Sequence, residues 1–117
     1  MTHILTVDGF HPAKLNTYLG RHWAVGARKK KDDAQRLGIE AHLQGVAKAT
    51  GKRRLSIVIR YAKGRPCDAD SILKSLLDAC VTCGLLLDDG PKSLELGSIT
   101  HEHAARKGLV LTLEDLT

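Results

Sequence analysis

The sequence predicts an α+β domain of two layers, a small mixed β-sheet of about four strands with two helices, in the order β-α-β-α-β-β. Three observations carry that expectation. Short segments place apolar residues at every second position, as half-buried strands do. Two longer stretches between them repeat apolar residues at spacings of three and four, as amphipathic helices do. Laying both helices on one face of the sheet buries these faces together. With 117 residues, no repeats and no linker, residues 1–117 read as one domain around one core.

Ile4 to Val7 is an apolar run closed by Asp8-Gly9, which suits a first strand. Phe10 to Asn16 contains His11-Pro12 and reads as an irregular connection. From Arg21 to Ala49 the pattern is helical, with Trp23, Ala27, Ala34, Leu37 and Ala41 on one stripe. Gly26, Gly38 and Gly45 each weaken that helix by about 0.8–1 kcal/mol relative to alanine, so it depends on close packing of small residues. Gly51 is its expected left-handed cap. Leu55, Ile57, Ile59 and Tyr61 then alternate with Ser56, Val58 and Arg60 in a second strand. A basic turn, Lys63-Gly64-Arg65-Pro66, leads to a second helix from Asp68 to Cys83 that stops at Gly84. After the turn at Asp88-Asp89-Gly90-Pro91, segments Leu94 to His101 and Leu109 to Leu113 read as strands. The short link Ala104 to Gly108 predicts that they form a hairpin.

The composition is 43% hydrophobic and 26% charged, ordinary for a soluble protein, and at 3% aromatic the core must be built from Leu, Ile, Val and Ala. A formal charge of +5 suits a nucleic-acid partner and equally a basic enzyme. No apolar run approaches the length of a membrane span, and no signal peptide precedes the three cysteines, so a cytoplasmic protein with free thiols is expected. Cys80 and Cys83 have CxxC spacing, with His101 and His103 as candidate partners for zinc. They fall in the last turn of an apolar helix with no second CxxC, which favours core thiols.

Function is concentrated between residues 68 and 89. Asp68 is the expected N-cap of the second helix, and Asp70 suits the positive end of its dipole. Lys74 stands four residues after Asp70, and Asp78 continues the stripe. Each of these has a purely structural reading. The wheel, however, puts Asp70 and Lys74 at the edge of the arc Ile72, Leu73, Leu76, Leu77, Cys80, where a cleft can form. Asp88 and Asp89 follow three leucines, and adjacent carboxylates repel unless a cation or solvent relieves them. Hard divalent cations prefer such oxygens, and Mg²⁺ bound among them activates water and steadies a phosphodiester's leaving oxygen. A lysine beside the acids stabilises charge growing in the transition state.

The pattern Asp68-x-Asp70-x-x-x-Lys74-x-x-x-Asp78, then Gly84-Leu85 and Leu87-Asp88-Asp89, resembles the RusA family of Holliday-junction resolvases. The resemblance implies a small homodimeric endonuclease, dependent on Mg²⁺ with Mn²⁺ as substitute, that cuts four-way DNA junctions in recombination and repair. It implies Asp68, Asp70 and Asp89 as metal-binding acids and Lys74 as the catalytic lysine, with Asp88 in support. Ser71 stands where the family usually has Asn, and Pro12 to Tyr18, with Asn16, is similar to the family's P-P-S-x-N loop. Lys63 and Arg65 are expected to hold DNA because the chain places them beside the acids, with Arg28 and Lys30 from the run Arg28 to Lys31 as further candidates. Two symmetric scissile phosphates suit a two-fold dimer. The competing readings are a non-catalytic DNA-binding module that kept the fold and a metalloenzyme acting on small phosphate compounds.

Overall fold

Alternation along the central strands decides which side of the sheet is covered. The computed structural model describes residues 1–12, 23–64, 66 and 68–116. They form β1 (Thr2–Asp8), α1 (Trp23–Leu43), β2 (Arg53–Tyr61), α2 (Ala69–Thr82), β3 (Leu94–His103) and β4 (Gly108–Asp115), the expected α+β order. Leu5 and Val7 of β1, Leu55, Ile57 and Ile59 of β2, and Leu109, Leu111 and Leu113 of β4 all turn to one side and are buried. Against them pack Ala34, Leu37 and Ala41 of α1 and Ile72, Leu76, Ala79 and Cys80 of α2. Burial of each large aliphatic side chain contributes about 1.5–3 kcal/mol, so this interface is the main source of stability.

The strands lie in the order β1-β4-β2-β3. β4 runs antiparallel to both β1 and β2, whereas β3 runs parallel to β2 with Arg53 opposite Leu94 and Tyr61 opposite His103. The predicted hairpin is therefore absent: β3 and β4 are separated by β2. The link between them steps over the end of β2, where Ala104 N–H donates to the Tyr61 carbonyl at 2.9 Å. The reason lies in side-chain character. β4 buries three leucines and occupies the interior of the sheet, while β3 carries Glu95, Gly97, Ser98 and Glu102 and tolerates an edge. Gly108 is required where β4 enters, because a Cβ there would lie 2.7 Å from the Val7 carbonyl oxygen.

The first helix also ends earlier than expected. It stops at Leu43, and Gly45, at φ +71°, supplies the left-handed cap in place of Gly51. Val46 N–H reaches the Ala41 carbonyl (2.9 Å) and Gly45 N–H the His42 carbonyl (3.3 Å), the paired bonds of a Schellman end. The next side chain then does unusual work. The Gln44 amide accepts from Thr6 N–H (3.0 Å) and donates to the Thr6 carbonyl (2.7 Å), so it occupies the place of a neighbouring strand on the outer edge of β1. Arg36 donates to the Asp8 carbonyl on the same edge at 2.8 Å.

Two of the three basic residues at 52–54 are paired within the chain. Arg53 is 1% exposed; its Nε donates to Asp115 Oδ1 at 2.7 Å and its Nη1 to the Leu85 carbonyl at 3.0 Å. Arg54, on the opposite face, pairs with Glu95 and Glu114 from the two flanking strands. Arg60 pairs with Glu102 of β3 and, at 4.0 Å, approaches Asp8 of β1, beyond β4.

Candidate metal centre and nucleic-acid interface

The parallel pairing of β2 with β3 dictates where the acids lie. After Tyr61 the chain must return to the Arg53 end of β2 before β3 can start beside it, and α2 makes that return. Its 14 residues span about 21 Å. Asp68 and Asp70 consequently lie at the Tyr61 end of the sheet. The segment after α2 is fixed at the other end: Leu86 N–H bonds to the Cys80 carbonyl, Arg53 to the Leu85 and Ser93 carbonyls, and Ser93 and Leu94 to the Gly90 carbonyl. Asp88 and Asp89, next to Gly90, are held there. Within one chain, then, the structure brings Asp68, Asp70 and Lys74 together and leaves Asp89 at the far end of α2, about 20 Å away. Among the described residues no group of three or more His, Cys, Asp or Glu side chains is close enough to hold a metal ion.

The local geometry at the start of α2 is open. Asp68 occupies the N-cap position with φ −66° and ψ 128°, but its side chain makes no capping bond. The first turn is closed instead by its backbone carbonyl, which accepts from Ser71 N–H (3.1 Å) and from Ser71 Oγ (2.7 Å). Ser71 thus serves the start of the helix. Asp70 is exposed, and the Lys74 side chain is 58% exposed. Lys74 Nζ stands 4.0 Å from Asp78 Oδ2, a surface pair of the kind worth about 0.2–0.5 kcal/mol, so little holds the amine back from a ligand. Asp78 is shared, since Lys30 of α1 approaches it at 3.9 Å. That contact, with the close approach of Gly38 to Cys83, sets α1 beside α2 and running in the same direction. Arg28 and Lys63 are exposed, and Lys63 follows β2 at the end of the sheet where α2 begins. Lys29 is committed to the buried Asp33 carboxylate at 2.9 Å. Asn16 and Arg65 lie outside the described residues.

The donor set matches a hard cation: every candidate ligand is a carboxylate oxygen, exposed to solvent, and Mg²⁺ takes one or two such groups together with waters and phosphate oxygens. Asp68 and Asp70 stand together at the start of α2, and Asp88 and Asp89 lie exposed in the turn before β3. The cysteines do not join it. Cys80 is fully buried and Cys83 half-buried in the last turn of α2, whereas His101 and His103 stand beside Ile59 and Tyr61 at the opposite end of the sheet. Burial pushes both thiols up from their ordinary range, for Cys80 with a smaller contribution from Cys83.

No known protein-family model matches this chain, and no curated protein is detectably similar to it. No described helix is long and apolar enough to cross a membrane.

The structural roles of two residues are not apparent from the sequence pattern. Arg53 is one, although it shares the parity of Leu55, Ile57 and Ile59 and so points inward. His11 is the other: its Nε2 lies 2.9 Å from the Arg60 carbonyl and 3.2 Å from that of Gly108, tying the connection after β1 to the ends of β2 and β4.

Proposed function

We propose that this protein is a divalent-metal-dependent, structure-specific endonuclease of the Holliday-junction resolvase type, acting as a homodimer on four-way DNA. The observation that carries the reading is the exposure of Asp70 and Lys74 one helical turn apart beside Asp68, at the end of the domain that also carries Lys63. Asp68 and Asp70 of one chain and Asp89 of the partner subunit are the ligands, since one chain alone keeps them at opposite ends of α2. These carboxylates would hold Mg²⁺ or Mn²⁺, which when bound would supply Lewis-acid polarisation of the scissile phosphodiester and a more acidic water. Lys74 faces the negative charge that grows on the phosphate oxygens and is weakly restrained by Asp78. Lys63 and Arg65, with Arg28, Lys30 and Asn16, hold flanking phosphates, which positions DNA without reading its sequence. Asp88 supports Asp89 through the local negative charge.

The test is cleavage of a synthetic four-way junction with Mg²⁺ or Mn²⁺. Wild type should cut, and Asp70→Asn and Asp89→Asn should each bind the junction without cutting. Mixing the two variants should restore nicking, because a mixed dimer then contains one intact centre. Equal cleavage by wild type and Asp70→Asn would sink the assignment. Junction binding with no cleavage under either metal would make the protein a non-catalytic DNA-binding module.

A further inference from the structure

His101 and His103 lie at the opposite end of the sheet from the buried thiols, yet the strand sets them as a pair of their own. Ile99 packs against the core, and alternation carries His101 and His103 onto the same face of β3. The register agrees, with Ile57, Ile59 and Tyr61 of β2 opposite Ile99, His101 and His103. Alternate residues on one face of a strand stand roughly 6.5–7 Å apart. Both histidines are exposed, on the edge strand of the sheet.

The surroundings hold this pair in place. The His103 ring meets the Tyr61 ring edge-on, with centroids 5.4 Å apart and planes at 77°. Directly after His103, Ala104 N–H donates to the Tyr61 carbonyl at 2.9 Å and pins the end of the strand. Glu102, between the histidines in sequence, turns to the other face and pairs with Arg60 at 3.2 Å. It therefore neither neutralises the histidines nor competes with them for a ligand.

Two imidazoles on one face of a strand form a bidentate donor. Zn²⁺ takes imidazole nitrogen at about 2.0–2.1 Å, so two such nitrogens on one ion stand roughly 3.3 Å apart. Exposed rings close that gap by rotating toward each other between staggered rotamers. Imidazole suits Zn²⁺, Ni²⁺ and Cu²⁺, whereas carboxylates suit Mg²⁺ and Mn²⁺, so this pair and the acids sort ions by softness. Among the described residues no third His, Cys, Asp or Glu completes a cage, which makes the pair an open, exchangeable site.

We propose that His101 and His103 form a two-histidine chelate for a transition-metal dication, Zn²⁺ above all, with its other positions taken by water or an exogenous ligand. It goes beyond the nuclease reading and uses none of the acids of that site. The test titrates ZnCl₂ into the full chain by calorimetry, with excess MgCl₂ present to occupy carboxylates. Wild type should bind one zinc per chain in the micromolar range. His101→Asn and His103→Asn should each weaken binding at least about tenfold, with circular dichroism and melting in metal-free buffer unchanged. Glu102→Gln and Asp70→Asn should bind as wild type does. The electron paramagnetic resonance spectrum of wild type with one equivalent of Cu²⁺ should show coupling to two nitrogens, a readout that needs no variant. No saturation below millimolar zinc, a copper spectrum without that coupling, or zinc binding indifferent to both histidine variants would each overturn the proposal. So would an equal loss in Asp70→Asn, which would put the zinc on the acids. Junctions left uncut would remove the nuclease reading and leave this chelate standing.

Discussion

Substituting Arg53 by methionine tests whether the buried guanidinium holds the acidic turn in place. Methionine keeps most of the apolar stem packed, so the change isolates the head group. The wild-type head makes two charge-assisted bonds, to Asp115 and to the Leu85 carbonyl, each of a kind worth about 1.5–3 kcal/mol. Breaking a buried pair from one side commonly costs about 3–5 kcal/mol. Here the Asp115 side chain is 30% exposed and can rehydrate, which points to the lower end, about 3 kcal/mol. For a domain of this size that is a fall in Tm of roughly 10 °C. Urea unfolding followed by circular dichroism measures it directly. The same variant loses the bond to Leu85, three residues before Asp88, so protection of the 88–93 turn from hydrogen exchange should also decline. A loss below about 1 kcal/mol with the turn unchanged would refute the reasoning, because it would mean that Arg53 contributes little beyond its stem.

Two other outcomes follow from the same core. The hydrogen bond from Arg53 is the main cause holding the Asp115 carboxyl below its usual range, with His3 at 3.4 Å assisting. A group depressed in the folded state contributes stability above its unfolded pKa, near 3.9, and loses it as pH falls through its lower folded value. Asp115→Asn should therefore flatten the acid limb of the stability curve below about pH 4; urea titrations of both proteins from pH 2 to 5 that remain parallel would contradict this. Burial also predicts that iodoacetamide at pH 7 leaves Cys80 unmodified and modifies Cys83 slowly in native protein. Peptide mapping by mass spectrometry checks this, and rapid labelling of Cys80 would show that α2 opens.

The elements themselves were legible because their periodicity is strong: Leu55, Ile57, Ile59 and Leu109, Leu111, Leu113 alternate cleanly, and α2 has a continuous apolar arc. The strand order was not. Proximity along the chain suggested pairing β3 with β4, but the leucines of β4 gain more from neighbours on both sides, a long-range preference that local pattern does not express. The choice of Gly45 over Gly51 as helix cap was similarly hidden, since both glycines accept a positive φ and only tertiary packing selects one. At the candidate site the charged residues stood out at once, whereas their separation depends on long-range bonds to the segment after α2 that the local pattern does not express. A helix of 14 residues carries the chain about 21 Å from Asp68, and the bonds at Leu85, Leu86 and Gly90 then keep the acidic turn at that far end.

The amide of Gln44 has a consequence for how many copies can assemble. A sheet with two open edges can add neighbours indefinitely and is a route to filaments. On the β1 edge the Gln44 side chain, just past the end of α1, holds both outward backbone groups of Thr6, so a strand added there has to displace it. The two edges of the sheet are therefore unequal as templates, and open-ended stacking of sheets in both directions is disfavoured.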